Sequence, residues 1–95
     1  MSTSVPVDRI AALRTALEGH FAPTRLEIID DSAAHAGHAG AREGGHFRVR
    51  IVAEAFRGRS ALQRHRLVYE ALGDLRDRGI HALNIDAQTP EESSV

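Results

Sequence analysis

The chain has 95 residues, 42% of them hydrophobic, which is enough for one compact core and too few for two. Twelve arginines and no lysine stand against thirteen acids, so a net charge of −1 gives no global pull toward nucleic acid or an anionic membrane. Cysteine is absent, which excludes disulfides, thiolate catalysis and self-sufficient thiolate metal sites. No apolar run approaches the roughly 18 residues of a membrane span and no basic start precedes a hydrophobic leader, so a soluble cytoplasmic protein is expected.

The first element is an amphipathic helix within residues 4–21, where Ile10, Leu13, Leu17 and Phe21 recur at spacings of three and four. Pro6 suits its first turn, Ser4 or Val5 its cap, and Gly19 with Pro23 its end. "TRLEIIDDS" then reads as a strand, with Leu26 and Ile28 on one side and Arg25, Glu27 and Ile29 on the other. A glycine- and histidine-rich loop follows and leads into "HFRVRIVAEAF". There Phe47, Val49 and Ile51 alternate with Arg48, Arg50 and Val52, the pattern of a half-buried second strand. A loop of about 13 residues without structure of its own is uncommon, and such loops are usually functional or disordered.

"FRGRS" turns the chain into a second helix from Ser60 to about Arg78, opened by a Ser60/Gln63 capping box and closed at Gly79. Its apolar stripe is Leu62, Val68, Tyr69, Leu72 and Leu75. "IHALNIDAQ" is the third strand, with His81, Leu83, Ile85 and Ala87 on one face. "TPEESSV" holds a single capped turn at most, so the ordered core is expected over residues 5–90 with a polar tail at 91–95. The third strand follows a helical crossover and should run parallel to the second. The expected architecture is therefore α+β: helix, strand, strand, helix, strand, a three-stranded mixed sheet with both helices on one face.

Catalysis finds little support. The serines fall in tails, a turn or a cap, and the adjacent Asp30 and Asp31 diverge instead of flanking a bond. Gly37 to Gly40 form a G-x-x-G between strands, without the helix N-terminus that binds phosphate. Arg57, Arg59, Arg64 and Arg66 gather without an acid at the entrance to the second helix and could contact phosphates or a partner. Among the histidines, His65 lies between two arginines and His20 at a helix end, and neither position asks for more than a structural role. His35, His38 and His46 lie on or beside the long loop, and His81 opens the third strand. If strands two and three are parallel, the loop and His81 share one rim of the sheet. Imidazoles there suit zinc, copper or iron. Without thiolates they make an incomplete site, the form expected of a metal shared between molecules.

The residues "HFRV", "F-x-G-x-S", "RHRLVY" and "IHAL", in this order, closely resemble the BolA family, and the match runs from the first helix to Pro90. The resemblance implies a fold like the type II KH domain. It also implies a non-enzymatic partner of CGFS-type monothiol glutaredoxins, in which the two proteins share a [2Fe–2S] cluster. The glutaredoxin and glutathione bring thiolates and the BolA chain brings the histidine of its "IHA" motif, here His81. The second family position falls on His35, with His38 as rival. By neighbourhood, Phe56, Arg64 and Arg66, with Arg57 and Arg59, are assigned to docking. The alternative the resemblance leaves is a DNA-binding regulator using the basic stretch, although the G-x-x-G between helices of a KH domain is lacking. The isolated chain is expected without cofactor and as a monomer, with a homodimer as the other possibility.

Overall fold

The computed structural model describes residues 9–31, 45–75, 77 and 80–94. Helix α1 (Arg9–Phe21) leads to strand β1 (Arg25–Asp30), and strand β2 (Gly45–Val52) to a short 3-10 turn at Glu54–Phe56. Helix α2 (Ala61–Leu72), strand β3 (Ile80–Gln88) and a one-turn helix α3 (Pro90–Ser93) complete the order. The sheet runs β1-β2-β3, with β1 antiparallel and β3 parallel to the central β2. The expected α+β architecture with its mixed sheet is the one observed.

One face of the sheet carries the core. Phe47, Val49 and Ile51 of β2 are buried and meet Leu13, Leu17 and Phe21 of α1 and Val68 and Leu72 of α2, so both helices cover the same side. Leu26 and Ile28 pack against this cluster while Ile29 points away and is 52% exposed, as the alternation of β1 requires. The opposite face is polar. There Arg50 lies in register between Glu27 and Asp86 and pairs with both, at 3.9 and 3.3 Å.

Three details depart from expectation. Helix α2 stops at Leu72, where Gly73 adopts φ 73°, instead of running to about Arg78. The glycine that ends it is thus the first available, and Leu75 packs on the core from beyond the helix. Gly79 and Arg78 lie outside the described residues. Likewise α1 passes through Gly19, and its left-handed exit falls on Ala22 at φ 47°, whose N–H donates to Glu18 O at 3.1 Å. Ser4, Val5 and Pro6, the expected start of α1, also lie outside the described residues. Third, the alternation of β3 breaks at its start. The register moves from Gly45↔Ile80 to His46↔Ala82, leaving His81 as the extra residue of a bulge. Ile80 therefore enters the core at 3% exposure while His81 is exposed, so His81 does not share the face of Leu83, Ile85 and Ala87. Burying an isoleucine is worth about 1.5–3 kcal/mol, whereas burying an unsatisfied imidazole costs free energy, and the bulge resolves this competition.

The end of the chain forms the single capped turn expected. Thr89 Oγ1 accepts from the Glu92 N–H, and the Glu92 carboxylate accepts from the Thr89 N–H.

A left-handed backbone costs an L-residue about 1–2 kcal/mol that glycine does not incur. Ala22→Gly should accordingly raise stability by up to about 1 kcal/mol in urea unfolding, after the extra unfolded-state entropy of glycine is deducted. A drop in the unfolding midpoint would show that the turn at Ala22 carries no strain.

Candidate functional site

Parallel pairing places the beginnings of β2 and β3 at the same rim, and β1 ends there too, with the Asp31 N–H donating to His46 O at 2.7 Å. Two histidines meet at this rim. The ring centroids of His46 and His81 are 5.1 Å apart with an interplanar angle of 51°. His81 is exposed, carried outward by the bulge; His46 is half-buried and its Nε2 is closed off from solvent. A shallow groove of about 260 Å³ runs beside them, lined by Asp31, His46, Phe47, Arg48, Ala82, Leu83 and Asn84. Within it Arg48 is paired with Asp31 at 3.6 Å, so its charge is partly offset near the imidazoles.

His35 and His38 lie outside the described residues, although the loop that bears them leaves and re-enters the sheet at this rim. Among the described residues no group of three or more histidine, aspartate or glutamate side chains could hold a metal ion. What the rim offers is a pair of nitrogens. The sequence places His46 on or beside the loop and the loop histidines on one rim with His81; the structure brings the rings of His46 and His81 into contact. The signal was present in the pattern, because a parallel crossover sets the opening residues of two strands side by side.

The basic stretch is arranged differently. Phe56 is fully buried at 0% exposure and packs on Phe21 with centroids 5.1 Å apart, so it belongs to the core and not to a docking surface. Arg57 is forked onto Glu54, at 2.8 and 3.0 Å, and also contacts Glu91. Arg64 reaches Glu92 at 2.7 and 3.1 Å and the carbonyls of Arg59 and Ala87 at 2.9 Å each; only 13% of its side chain is exposed. Both guanidiniums are raised above their ordinary pKa by these carboxylates. Arg59 and Arg66 are exposed. The stretch thus joins α2 to α3 at the end of β2 and β3 remote from the histidines. Six residues of strand at about 3.3 Å each put some 20 Å between His46 and Val52, so Arg57, Arg59 and Arg64 do not share a site with His81.

Helix α2 also closes the outer edge of β3. The carbonyls of Leu83, Ile85 and Ala87 receive Tyr69 Oη–H at 3.5 Å, His65 Nε2–H at 3.1 Å and Arg64 at 2.9 Å. His65 is structural, as expected. An open edge strand invites unwanted pairing, and three donors from one helix occupy it. Apolar side chains remain outside, Leu62 at 60% and Tyr69 at 40% exposure.

A family model described as BolA-like protein matches residues 17–92. The chain is 45% identical to SufE-like protein 1, chloroplastic/mitochondrial, of Arabidopsis thaliana over 84% of its own length and 23% of that protein. It is 42% identical to Protein BOLA1, chloroplastic, of the same plant and 46% identical to BolA-like protein 1 of Mus musculus. Those alignments take in 90% and 86% of this chain but only 56% and 58% of the relatives, so it spans less than two thirds of each of these three proteins. Among solved structures it is similar to the BolA domain of SufE1 from Arabidopsis thaliana, with a TM-score of 0.78 and 45% identity over 93% of this chain and 99% of that one. The solution structure of BolA1 from Mus musculus gives a TM-score of 0.77 at 41% identity over 99% of this chain and 75% of that one. Two of these relatives carry organellar designations in their names. Among the described residues no helix is long and apolar enough to cross a membrane.

Glu92 is the most displaced carboxylate of the interface between α2 and α3. Hydrogen bonds from the Arg64 guanidinium, then from the Thr89 backbone N–H, hold its pKa down to about 2 from an ordinary 4.5. A depressed folded-state value means that the contact contributes in full above pH 4.5 and is lost as pH falls toward 2. The Glu92 carboxyl carbon should titrate near pH 2 by NMR and return toward 4.5 in Arg64→Gln. A midpoint already at 4.5 in the parent chain would mean that Arg64 and Glu92 do not hold each other in solution.

Proposed function

The chain belongs to the BolA-like protein family, and from that premise we propose that it is a non-enzymatic partner protein. In this reading it shares a [2Fe–2S] cluster with a CGFS-type monothiol glutaredoxin and glutathione, in cluster assembly, trafficking or iron sensing in the cytoplasm. The observation that carries the reading is the exposed His81, set on the rim with a second imidazole beside it in a chain that has no thiol.

The donor chemistry fits such a shared centre. Imidazole suits iron, and two nitrogens cannot close a four-coordinate metal, so the remaining ligands have to come from another molecule. When bound, a cluster with imidazole in place of thiolate has a higher reduction potential and a less negative charge, as in Rieske centres. The chain's own part is to present neutral nitrogens from a fixed strand end, and an imidazolium would have to lose a proton before it could ligate. The SufE-like name of one relative is in keeping with an iron–sulfur setting. His35 and His38 stay in the proposal as loop donors.

The DNA-binding alternative has less to draw on. Of the four arginines it needs, Arg57 and Arg64 are already engaged by Glu54, Glu91 and Glu92, which leaves Arg59 and Arg66 for phosphate. Two contacts predict a weak, shallow salt dependence.

Co-expression with a CGFS glutaredoxin should yield a coloured heterocomplex whose visible spectrum differs from that of the glutaredoxin alone. His81→Ala should abolish that difference, while the spectra of His35→Ala and His38→Ala rank the loop histidines. Failure to recover any coloured complex with the unaltered chain would dispose of the shared cluster. Separately, DNA affinity measured between 50 and 200 mM salt should fall by no more than roughly tenfold, since about two phosphates are in reach. A steep slope with tight, sequence-dependent binding would reinstate the regulator.

A further inference from the structure

We propose that His46 is the second nitrogen donor of this protein, chelating one tetrahedral metal ion together with His81. The inference rests on the shared-cluster reading for the identity of the metal as iron. The pairing itself is read from the strands.

Separation is the first argument. A metal–imidazole bond of about 2.0–2.1 Å puts the metal about 3.2 Å from a ring centroid, and two rings at a tetrahedral angle then have centroids roughly 5.2 Å apart. The observed spacing is 5.1 Å. The distance is thus compatible with chelation, and aromatic contact alone can also produce it. The second argument therefore has to come from the backbone.

His46 and His81 are both held by the sheet. His46 belongs to β2, with its carbonyl taken by the Asp31 N–H and its backbone in register with Ala82. His81 is the added residue of the bulge. Under strict alternation His81 would follow Leu83 and Ile85 toward the core, away from His46, which lies on the face of Arg48 and Arg50. The bulge removes that conflict: it buries Ile80 and turns His81 outward until the two rings meet. Bulges commonly re-aim a side chain at a functional position, and donors fixed on strands hold a metal geometry more closely than donors on loops.

Surroundings supply the third argument. His46 Nε2 is shielded from bulk water, whereas His81 is open to an incoming ligand or partner. The nearest cation in the groove, Arg48, is matched by Asp31, which lowers the repulsion a metal ion would meet.

Zinc alone, added stepwise to the full chain without glutaredoxin, tests the pair. Zinc should shift the imidazole nitrogen resonances of His46 and His81 together, with one ion per chain. Losing one of two nitrogens should cost at least the roughly 10–100-fold in affinity that even an outer partner costs. His46→Gln and His81→Gln should each show that loss, while His35→Gln and His38→Gln should stay within about twofold of the parent. The resonance shifts in the unaltered chain need no variant, so a folding defect in His46→Gln cannot mask the result. Zinc that moves His81 but not His46, or that is lost with His35→Gln or His38→Gln and kept in His46→Gln, overturns the proposal. Such an outcome leaves the shared cluster standing with a loop histidine as donor. Conversely, zinc binding as described with no coloured glutaredoxin complex removes the cluster and keeps the pair.

Discussion

The parallel pairing of β2 with β3 is the constraint on which the rest depends. A parallel neighbour aligns like ends of two strands, so the residues that open β2 and β3 come together although a turn and the whole of α2 separate them in the chain. An antiparallel β3 would carry His81 to the far end of the sheet, about 20 Å from His46. The crossover that permits the parallel arrangement is α2, and its apolar side is what makes it fold back. Val68 and Leu72 are buried against the face of β2 that bears Phe47, Val49 and Ile51. Burial of these side chains is worth about 1.5–3 kcal/mol each, more than any surface ion pair in the molecule can contribute.

The same crossover separates two chemically different ends. At the histidine rim the sheet offers two imidazole rings and a shallow groove. At the opposite end, Arg57 and Arg64 fasten the 3-10 turn, α2 and α3 to one another through Glu54, Glu91 and Glu92. Exposed pairs such as Arg57 with Glu91 are screened and add little. Arg64 differs because it is mostly covered and also satisfies the Ala87 carbonyl on the β3 edge. Together with His65 and Tyr69 it explains the physical use of "RHRLVY": two consecutive donors and a third one turn later, aimed at alternate carbonyls on the outer edge of β3. The motif is thereby an edge-closing device, and its first arginine, Arg64, is not free for phosphate.

The elements that were legible in the sequence are those set by local pattern. Alternation in "HFRVRIV" fixed the core face of β2, the Ser60/Gln63 and Thr89/Glu92 boxes located two helix starts, and the helical crossover determined the strand direction. What escaped was decided by competition over distance. Gly73 won over Gly79 as a helix stop because the last core contact of α2 is Leu72. Ile80 displaced His81 from the core face, which no period-two reading can show, since the preference belongs to the pair and not to either residue. Glu91 and Glu92, which join Arg57 and Arg64 to α3, lie 34 and 28 residues away, beyond any local window, whereas Glu54 stands only three residues from Arg57. The shared rim of His81 and the loop follows from the parallel crossover, the donor role of His81 is implied by the family resemblance, and the contact between the His46 and His81 rings is seen only in the fold.

A site made of two imidazoles has a consequence that a thiolate site lacks. Neutral donors bring no charge to offset that of a metal, so under the proposed shared cluster nearly all the electrostatic hold would come from thiolates supplied by the other molecule. This chain then contributes direction and selectivity and little tenacity. Direction comes from the strands: the backbone fixes where the nitrogens are before any partner arrives, and less ordering entropy is lost on binding. Low tenacity follows from the donor set, because two nitrogens leave at least half of a tetrahedral shell to others. On the shared-cluster proposal, such a donor set would complete a centre held elsewhere and let it go.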